Sequence, residues 1–249
     1  MRQPMRSLRS QTRQTYFVFL ALVVLPLTAR SAEPPRLDWL ALEAKLAQEN
    51  ARLTQKNPDA ADAVIQVVCT LYYTPRESGI TAERGFDLTP ETAPGLPTAF
   101  REHRFARDFL RAVRLEGFGR LQTALGGQDY LHYEGHDRFS LTTRPTGRGG
   151  LRPLVAWHTC AARGGPGATL RTGESWRLES AEIHAAFFPG SPASDAGIWT
   201  VADTGDGLHR WQLDLYWGED DPRGPGADLA RPLGSDFQWA FARARRSGG

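Results

Sequence analysis

Two aspartates near the carboxyl-terminal end of the sequence have the residue type and the spacing that acid–base chemistry requires. Asp203 opens the triplet Asp203-Thr204-Gly205, and Asp214 lies in the apolar segment 211–217. A glycine-bearing connection joins two short apolar segments, so we expect neighbouring strands that bring the two carboxyl groups together. Two carboxyls in a partly apolar site cannot both ionise easily, and one therefore keeps its proton near neutral pH. Such a carboxyl can protonate a glycosidic oxygen as the bond breaks.

The alternation of residues around Asp214 predicts the direction of its side chain. Leu213, Leu215 and Trp217 share one face of the predicted strand, whereas Asp214 lies on the opposite face, together with Gln212 and Tyr216. Asp214 therefore faces away from the apolar side. Flat aromatic faces for sugar stacking, or alternatively for core packing, are offered by Tyr73, Trp199, Trp211, Tyr216 and Trp217.

Other candidate sites in the sequence are weaker. Glu77 is a possible second carboxylate, although an acid before a Ser-Gly turn can equally be solvated. The triplet that begins at Asp203 also occurs in aspartic proteases, but one copy per chain would require a homodimer. His132 and His136 flank a glycine in a predicted hairpin, which denies them a helical face for metal binding. We predict no metal and no organic cofactor, and the sequence leaves the oligomeric state open.

The elements that must position these residues are mostly short strands. The pattern predicts a helix that begins at Asp38 and runs to Leu53, a strand over 63–73 and a loop over 89–97. A second helix places Phe105, Phe109 and Val113 on one face and ends at Gly117. A hairpin over 130–143 and a connector over 145–153 follow, and further strands are predicted over 155–161, 175–188, 198–202 and 211–217. The predicted class is mainly β, in the form of a small closed barrel with an N-terminal helical leader and a helical/hairpin insertion.

The N-terminal segment has the pattern of a secretory signal peptide. Four arginines without an acid precede the apolar run 16–27, and small residues follow it. The run is shorter than the roughly 20 residues that span a bilayer, so we predict export without a lasting transmembrane anchor. Removal of residues 1–31 takes away five arginines and changes the net charge from +2 to −3, which gives no basic surface for nucleic acid. Cys69 and Cys160 could form a disulfide after export or remain buried thiols.

Three blocks of the sequence resemble the three-aspartate (3D) domain of muralytic proteins, including membrane-bound lytic transglycosylase A. The most specific block is the triplet that begins at Asp203 together with Leu213-Asp214-Leu215-Tyr216-x-Gly218. The segment 71–75, with Glu77 after it, is similar to the family's Tyr-rich first strand. The segment 154–162 is similar to the strand that leads to the family's first aspartate, where this chain has Arg163.

The resemblance implies a six-stranded double-psi β-barrel over 63–245, interrupted by an insertion at about 87–150, with a leader over 32–62. It also implies an exported, cell-wall-associated lytic transglycosylase that cleaves peptidoglycan glycan strands between N-acetylmuramic acid and N-acetylglucosamine and forms a 1,6-anhydro product. Asp214 would be the acid and base, and Asp203 and Glu77 would shape the site. The implied substrate-binding residues are Tyr73, Thr74, Thr204, Gly205, Tyr216 and Trp217.

Arg163 motivates an alternative function. A cation beside Asp214 would favour the ionised carboxylate and oppose its use as an acid. The alternative is a barrel that binds cell-wall glycan without cleaving it, as in expansin-like proteins.

Overall fold

A computed structural model describes residues 38–56, 63–80, 84–86, 102–150, 152–179, 197–219 and 239–247. The predicted signal peptide, the predicted loop over 89–97 and residues 180–188 of one predicted strand lie outside the described residues. The helices are α1 (Trp39–Lys56) and α2 (Arg107–Glu116), and a 3-10 turn spans Glu77–Gly79. The strands are β1 (Val64–Thr74), β2 (Arg84–Phe86), β3 (Phe105–Ala106), β4 (Phe118–Leu125), β5 (Gln128–Gly135), β6 (Arg138–Thr142), β7 (Thr159–Arg163), β8 (Ser175–Glu179), β9 (Ile198–Gly205), β10 (Gln212–Glu219) and β11 (Ala240–Ser247).

Six of these strands close into a barrel in the order β1, β10, β7, β9, β8, β11. Pairing is parallel between β1 and β10 and between β7 and β9, and antiparallel at the other four contacts. The predicted mainly β class with a closed six-stranded barrel is confirmed. The barrel interior is filled by alternate side chains of its strands, including Val67, Cys69, Cys160, Leu213 and Leu215. Both cysteines are free, buried thiols.

The leader helix α1 packs against the outside of β1. Asp38 caps it as predicted, because its Oδ1 accepts a hydrogen bond of 3.1 Å from the Ala41 N–H. Leu42 and Leu46 join the apolar core of the barrel. The Asn50 amide bonds both backbone groups of Gln66, at 3.0 Å from its Nδ2 to the carbonyl oxygen and at 2.5 Å from the Gln66 N–H to Oδ1. The leader is thereby fixed to the first barrel strand.

The insertion forms a second apolar core beside the barrel. The predicted helix is α2, and it ends at Gly117, which has a φ of 85°, as predicted. Its predicted start was wrong, because Phe105 lies in strand β3, which pairs with β2, and the helix begins only at Arg107. The predicted hairpin is β5–β6, and β4 adds a third antiparallel strand that the sequence pattern did not indicate. Phe109 and Val113 of α2 pack with Leu131 and Phe139 of the sheet. Among the described helices, neither is long and apolar enough to cross a membrane.

Two predicted strand boundaries differ from the structure. The predicted strand over 155–161 begins only at Thr159, because the preceding residues form a turn in which Thr159 Oγ1 and Val155 exchange hydrogen bonds of 2.9 and 3.0 Å. Trp157 in this turn has a φ of 67°, which a strand does not permit. The strand predicted over 198–202 continues to Gly205, so that Asp203 lies inside β9.

Candidate functional site

Strand β7 places the two predicted aspartates on either side of one small residue. Ala161 pairs with Asp214 of β10 on one edge and with Asp203 of β9 on the other. Adjacent strands lie about 4.8 Å apart, so the Cα atoms of the two aspartates are separated by roughly 10 Å. Residues that are directly opposite in a sheet share a face. Both carboxylates therefore lie on the outer face of the barrel, above the methyl group of Ala161.

A β-bulge turns Asp203 toward this outer face. Cys160 pairs with Val201, but the next residue of β7, Ala161, pairs with Asp203, so Ala202 is an extra residue in β9. Val201 is fully buried in the barrel core. Simple alternation would put Asp203 on the same side as Val201, inside the barrel. The bulge is therefore what brings the second carboxylate to the side of the first.

The environment of Asp214 holds a proton near neutral pH. The half-buried carboxyl accepts a hydrogen bond of 2.7 Å from Thr70 Oγ1, which in turn accepts one of 2.9 Å from Gln212 Nε2. Burial raises the pKa of Asp214 to about 7, against the lowering effect of the Thr70 hydrogen bond, and the charge of Asp203 raises it further. A substantial fraction of the Asp214 carboxyl is thus protonated at neutral pH and can act as an acid.

Asp203 is fixed by backbone donors. Its Oδ1 accepts hydrogen bonds of 2.6 Å from the Arg148 N–H and 2.8 Å from the Thr204 N–H. Burial raises the pKa of Asp203, while these two N–H groups and the charges of Arg148 and His132 lower it. His132 belongs to β5, so a strand of the insertion lies within electrostatic range of Asp203. The fixed carboxylate of Asp203 is a source of the negative potential that acts on Asp214.

The loop that carries Arg148 approaches β9 more closely than a side chain would permit. A Cβ built on Gly147 would overlap the carbonyl oxygen of Ala202 and touch the Cα of Asp203. The Arg148 side chain also binds Asp206 at 2.5 Å. Glycine is therefore required at position 147 for the loop to reach the Asp203 carboxylate.

A small aromatic cluster covers the outer face next to Asp214. Tyr72 of β1 is in register with Tyr216 of β10, and their ring centroids lie 5.1 Å apart. The Tyr216 hydroxyl shares a 2.8 Å hydrogen bond with Thr74 Oγ1. Burial raises the pKa of Tyr216 to about 12. Tyr72, Thr70, Gln212, His132 and Arg148 were not predicted as site residues, because their positions depend on strand register and on loop packing.

Glu77 lies under the insertion and has different partners. It is fully buried, its Oε1 is 2.7 Å from His103 Nε2, and its Oε2 accepts a hydrogen bond of 2.9 Å from the Gln122 N–H. These contacts join the 3-10 turn to the residues around β3 and to β4. The described hydrogen bonds of Glu77 therefore connect the 3-10 turn after β1 to the insertion and do not reach Asp203 or Asp214.

The predicted substrate-binding residues divide into buried and accessible groups. Tyr73, Thr74 and Tyr216 are buried, as are Trp199 and Trp211. Thr204 and Gly205 are half-buried at the end of β9. Trp217 is also half-buried and packs on Trp157 at 4.4 Å between ring centroids. Thr204, Gly205 and Trp217 are thus the predicted contact residues that retain exposed surface.

The pKa of Asp214 is shifted by burial, by the Thr70 hydrogen bond and by the charge of Asp203, and Arg163 is not among these causes. Arg163 is exposed at the end of β7, and it contributes to lowering the pKa of Glu43 in α1, for which the Arg210 backbone N–H is the main cause. The charge of Arg148 lowers the pKa of Asp203, and His132 also lowers it when protonated, although burial lowers the pKa of His132 itself. Among the described residues, no group of three or more histidine, cysteine or acidic side chains is arranged to hold a metal ion.

Comparisons with known proteins give similarity at the level of structure only. No protein-family model and no curated protein matches the chain. The structure of E. coli MltA with bound chitohexaose is 9% identical, with 84% of this chain and 85% of that chain covered and a TM-score of 0.45. A membrane-bound lytic murein transglycosylase from Agrobacterium tumefaciens is 11% identical, with 84% and 83% covered and a TM-score of 0.43. LtgG, a lytic transglycosylase of Burkholderia pseudomallei, is 14% identical, with 73% and 72% covered and a TM-score of 0.40. The chain is thus similar, at low sequence identity, to these three solved lytic transglycosylases.

Proposed function

We propose that the protein is a peptidoglycan lytic transglycosylase in which Asp214 is the catalytic acid and base. The observation that carries this proposal is the aspartate pair around Ala161, in which burial and the neighbouring Asp203 raise the pKa of Asp214 to about 7. The resemblance of the surrounding motif to the 3D domain supports the choice of peptidoglycan as the substrate.

The proposed reaction uses the same carboxyl group twice. The Asp214 proton passes to the glycosidic oxygen, and the bond from that oxygen to the anomeric carbon of N-acetylmuramic acid breaks. The C6 hydroxyl of the same sugar then attacks the anomeric carbon, and its proton passes to the Asp214 carboxylate. The products are a free N-acetylglucosamine 4-hydroxyl and a 1,6-anhydro ring. No water is consumed, and the carboxyl regains its proton.

The role of Asp203 in this proposal is electrostatic. Its carboxylate, fixed by two backbone N–H groups, favours the protonated form of Asp214 before the bond breaks. It also stabilises positive charge that develops at the anomeric carbon.

The proposal is tested by incubating the purified protein with peptidoglycan and analysing the soluble products by mass spectrometry. We expect 1,6-anhydro-muropeptides from the wild type and a reduction of at least about 100-fold in their rate of release by Asp214→Asn, since general acid catalysis typically contributes 10²–10⁴-fold. The control is Asp137→Asn, an exposed aspartate in the β5–β6 turn whose φ of 56° asparagine also adopts.

Three outcomes distinguish the two candidate functions. Anhydro products that depend on Asp214 support the enzyme, whereas hydrolytic products with a reducing end would contradict the proposed mechanism. Co-sedimentation with insoluble cell wall that survives Asp214→Asn, without any product, would instead favour the glycan-binding alternative. Arg163 motivated that alternative, and its charge acts on α1 rather than on Asp214.

We also propose that the protein is exported and that residues 1–31 are removed. The charge pattern and the short apolar run of the N-terminal segment support this proposal. N-terminal sequencing of the protein recovered from the cell envelope is expected to begin at Ala32, and recovery of the intact N-terminus would contradict cleavage.

A further inference from the structure

The Tyr72 hydroxyl is a buried polar group without a hydrogen bond to any residue that the structure describes. Tyr72 is 8% exposed, and its hydroxyl oxygen contacts no donor or acceptor among the described residues. Buried hydroxyls normally have a partner, because burial removes the hydrogen bonds that water would supply. A native group that lacks one therefore needs an explanation, and a ligand that is absent from the free protein is one such explanation.

The position of the hydroxyl points to the aspartate pair. Tyr72 follows Thr70 by two residues on β1, so both side chains lie on the outer face, and Thr70 binds Asp214 directly. Burial raises the pKa of Tyr72, and the charges of Asp203 and Asp214 both raise it further. The hydroxyl thus lies within electrostatic reach of both carboxylates, and it keeps its proton at all physiological pH values.

Neighbouring tyrosine hydroxyls are occupied by partners in the protein. The Tyr216 hydroxyl bonds Thr74, and the Tyr130 hydroxyl donates to Glu219 Oε1 at 2.6 Å. The Tyr133 hydroxyl accepts a hydrogen bond of 3.4 Å from the Asp137 N–H. Tyr72 differs from these three because its hydroxyl is both buried and unsatisfied.

We propose that Tyr72 is a substrate-binding residue whose hydroxyl donates a hydrogen bond to an oxygen of the sugar on which Asp214 acts. This inference rests on the proposed function. Sugar hydroxyl, ring and acetamido oxygens are all suitable acceptors, and the donor has no partner among the described residues. Binding of the sugar therefore costs the protein no existing hydrogen bond at Tyr72, which makes the gain from the new bond larger.

The test is the substitution Tyr72→Phe, which removes the hydroxyl and keeps the ring against Tyr216. We expect an unchanged or higher melting temperature, because an apolar replacement of an unsatisfied buried group is neutral or stabilising. We expect kcat/KM for peptidoglycan to fall about 10-fold, which corresponds to about 1.4 kcal/mol. The matched control is Tyr133→Phe. It is expected to keep the melting temperature within about 2 degrees of the wild type and kcat/KM within about 2-fold.

The combination of the two measurements decides the inference. Lower activity at unchanged or higher stability supports it, because a structural role would lower the stability as well. Unchanged activity overturns it, and so does a fall in melting temperature comparable to that of other buried tyrosines. If the wild type releases no product, the proposed function fails. The role of Tyr72 is then tested by comparing the co-sedimentation of the wild type and of Tyr72→Phe with insoluble peptidoglycan. Weaker retention of Tyr72→Phe supports the contact, whereas equal retention, or no retention of either protein, overturns it.

Discussion

At the scale of single residues, Asp214 derives its chemistry from two opposed effects. Removal of water and the charge of Asp203 favour the protonated carboxyl, whereas the hydrogen bond from Thr70 favours the carboxylate. The balance leaves a pKa of about 7, which suits a group that must give a proton and then take one back. Exposure to water or loss of the Asp203 charge would lower the pKa of Asp214, and loss of the Thr70 hydrogen bond would raise it.

The first prediction at this scale concerns Thr70→Val, which keeps the shape of the side chain and removes the donor to Asp214. In the proposed mechanism product release requires the protonated acid, so the rate of the wild type is expected to fall about 10-fold per pH unit above pH 7. Loss of the Thr70 donor raises the pKa of Asp214, so the alkaline limb of the variant is expected to lie at a higher pH. Rates of anhydro-muropeptide release between pH 5 and 9 measure the shift. An unmoved or acid-shifted limb would contradict this account of the site.

Sequence reasoning was sufficient to predict that the two aspartates lie on neighbouring parts of one sheet, but not which residues act on them. Asp203 and Asp214 are carried by a local motif, and the two-residue alternation gives the outward direction of Asp214 correctly. Thr70 is 144 residues away along the chain and becomes a partner only through the parallel pairing of β1 with β10. Glu77 illustrates the opposite case, since its place beside a tyrosine-rich strand suggested the site, yet its hydrogen bonds run to His103 and Gln122.

At the scale of elements, the loop over 144–150 and the bulge in β9 form one unit. The bulge turns Asp203 outward, and the loop supplies the Arg148 N–H that holds its carboxylate. The two fit together because Gly147 leaves room for the Ala202 carbonyl.

The prediction at this scale is that Gly147→Ala displaces the loop from β9. The new methyl group would overlap the Ala202 carbonyl oxygen, so the Arg148 N–H must withdraw from Asp203. We expect a loss of about 1–3 kcal/mol in the free energy of unfolding and a larger relative loss of activity, since the carboxylate beside Asp214 is no longer fixed. Urea unfolding and product release measure the two effects.

The matched control for this variant is Gly207→Ala, in the connection between β9 and β10. Nothing lies within 4 Å of a Cβ at that position. The control is expected to change the free energy of unfolding by less than about 0.5 kcal/mol. If Gly147→Ala and Gly207→Ala changed stability and product release equally, the close approach of the loop to β9 would not be needed for the site.

The predicted elements were most accurate where side-chain alternation was strong. Strand β1 consists largely of β-branched and aromatic residues and was located within one residue at each end. Strand β11 was not predicted, because its inward residues are the alanines Ala240, Ala242 and Ala244, which have low strand propensity and alternate with arginines or phenylalanine. The bulge at Ala202 could not be predicted either, because the local sequence of β9 does not show how β9 pairs with β7.

At the scale of the whole molecule, a single carboxylate joins the barrel to the insertion. Glu219 at the end of β10 accepts hydrogen bonds from Arg76 Nε at 2.9 Å, from Arg120 Nη1 at 2.5 Å and from the Tyr130 hydroxyl at 2.6 Å. Burial alone would raise the pKa of Glu219, but the three hydrogen bonds and the arginine charges lower it below its ordinary value. The network is therefore formed with the carboxylate ionised.

The prediction at this scale is that Glu219→Gln loosens the insertion. The amide keeps one acceptor oxygen and loses the charge, so we expect a loss of about 1–3 kcal/mol in the free energy of unfolding at pH 7. Because the pKa of Glu219 is lowered in the folded protein, the wild type loses this advantage as the pH falls through that pKa, and the two proteins are expected to converge at acid pH. Hydrogen exchange of β4 and β5 is expected to accelerate.

Glu49→Gln serves as the control, because Glu49 makes only a surface pair with Arg52 at 3.7 Å along α1. It is expected to change stability by less than about 0.5 kcal/mol at any pH. A pH-independent effect of Glu219→Gln, or none, would mean that the ionised carboxylate does not hold the insertion.

The global class of the protein was accessible from the sequence, whereas the order of its strands was not. Short strands, glycine-rich connections and one helical segment were sufficient to indicate a small barrel with an insertion. The circular order β1, β10, β7, β9, β8, β11 joins segments that are remote along the chain, and local patterns contain no information about such partners.

The pairing of β1 with β11 has a consequence for the time course of folding. Val64 pairs with Arg245, so almost the entire chain must be synthesised before β1 can pair with β11. Contacts between such distant segments slow folding, and until they form, the edge of β1 is open to association with other chains. During this interval Asp214 lacks the surroundings that hold its proton. The pKa of Asp214 in the unfolded chain is therefore expected to be close to that of an ordinary aspartate, and it rises to about 7 only when the barrel has closed around it.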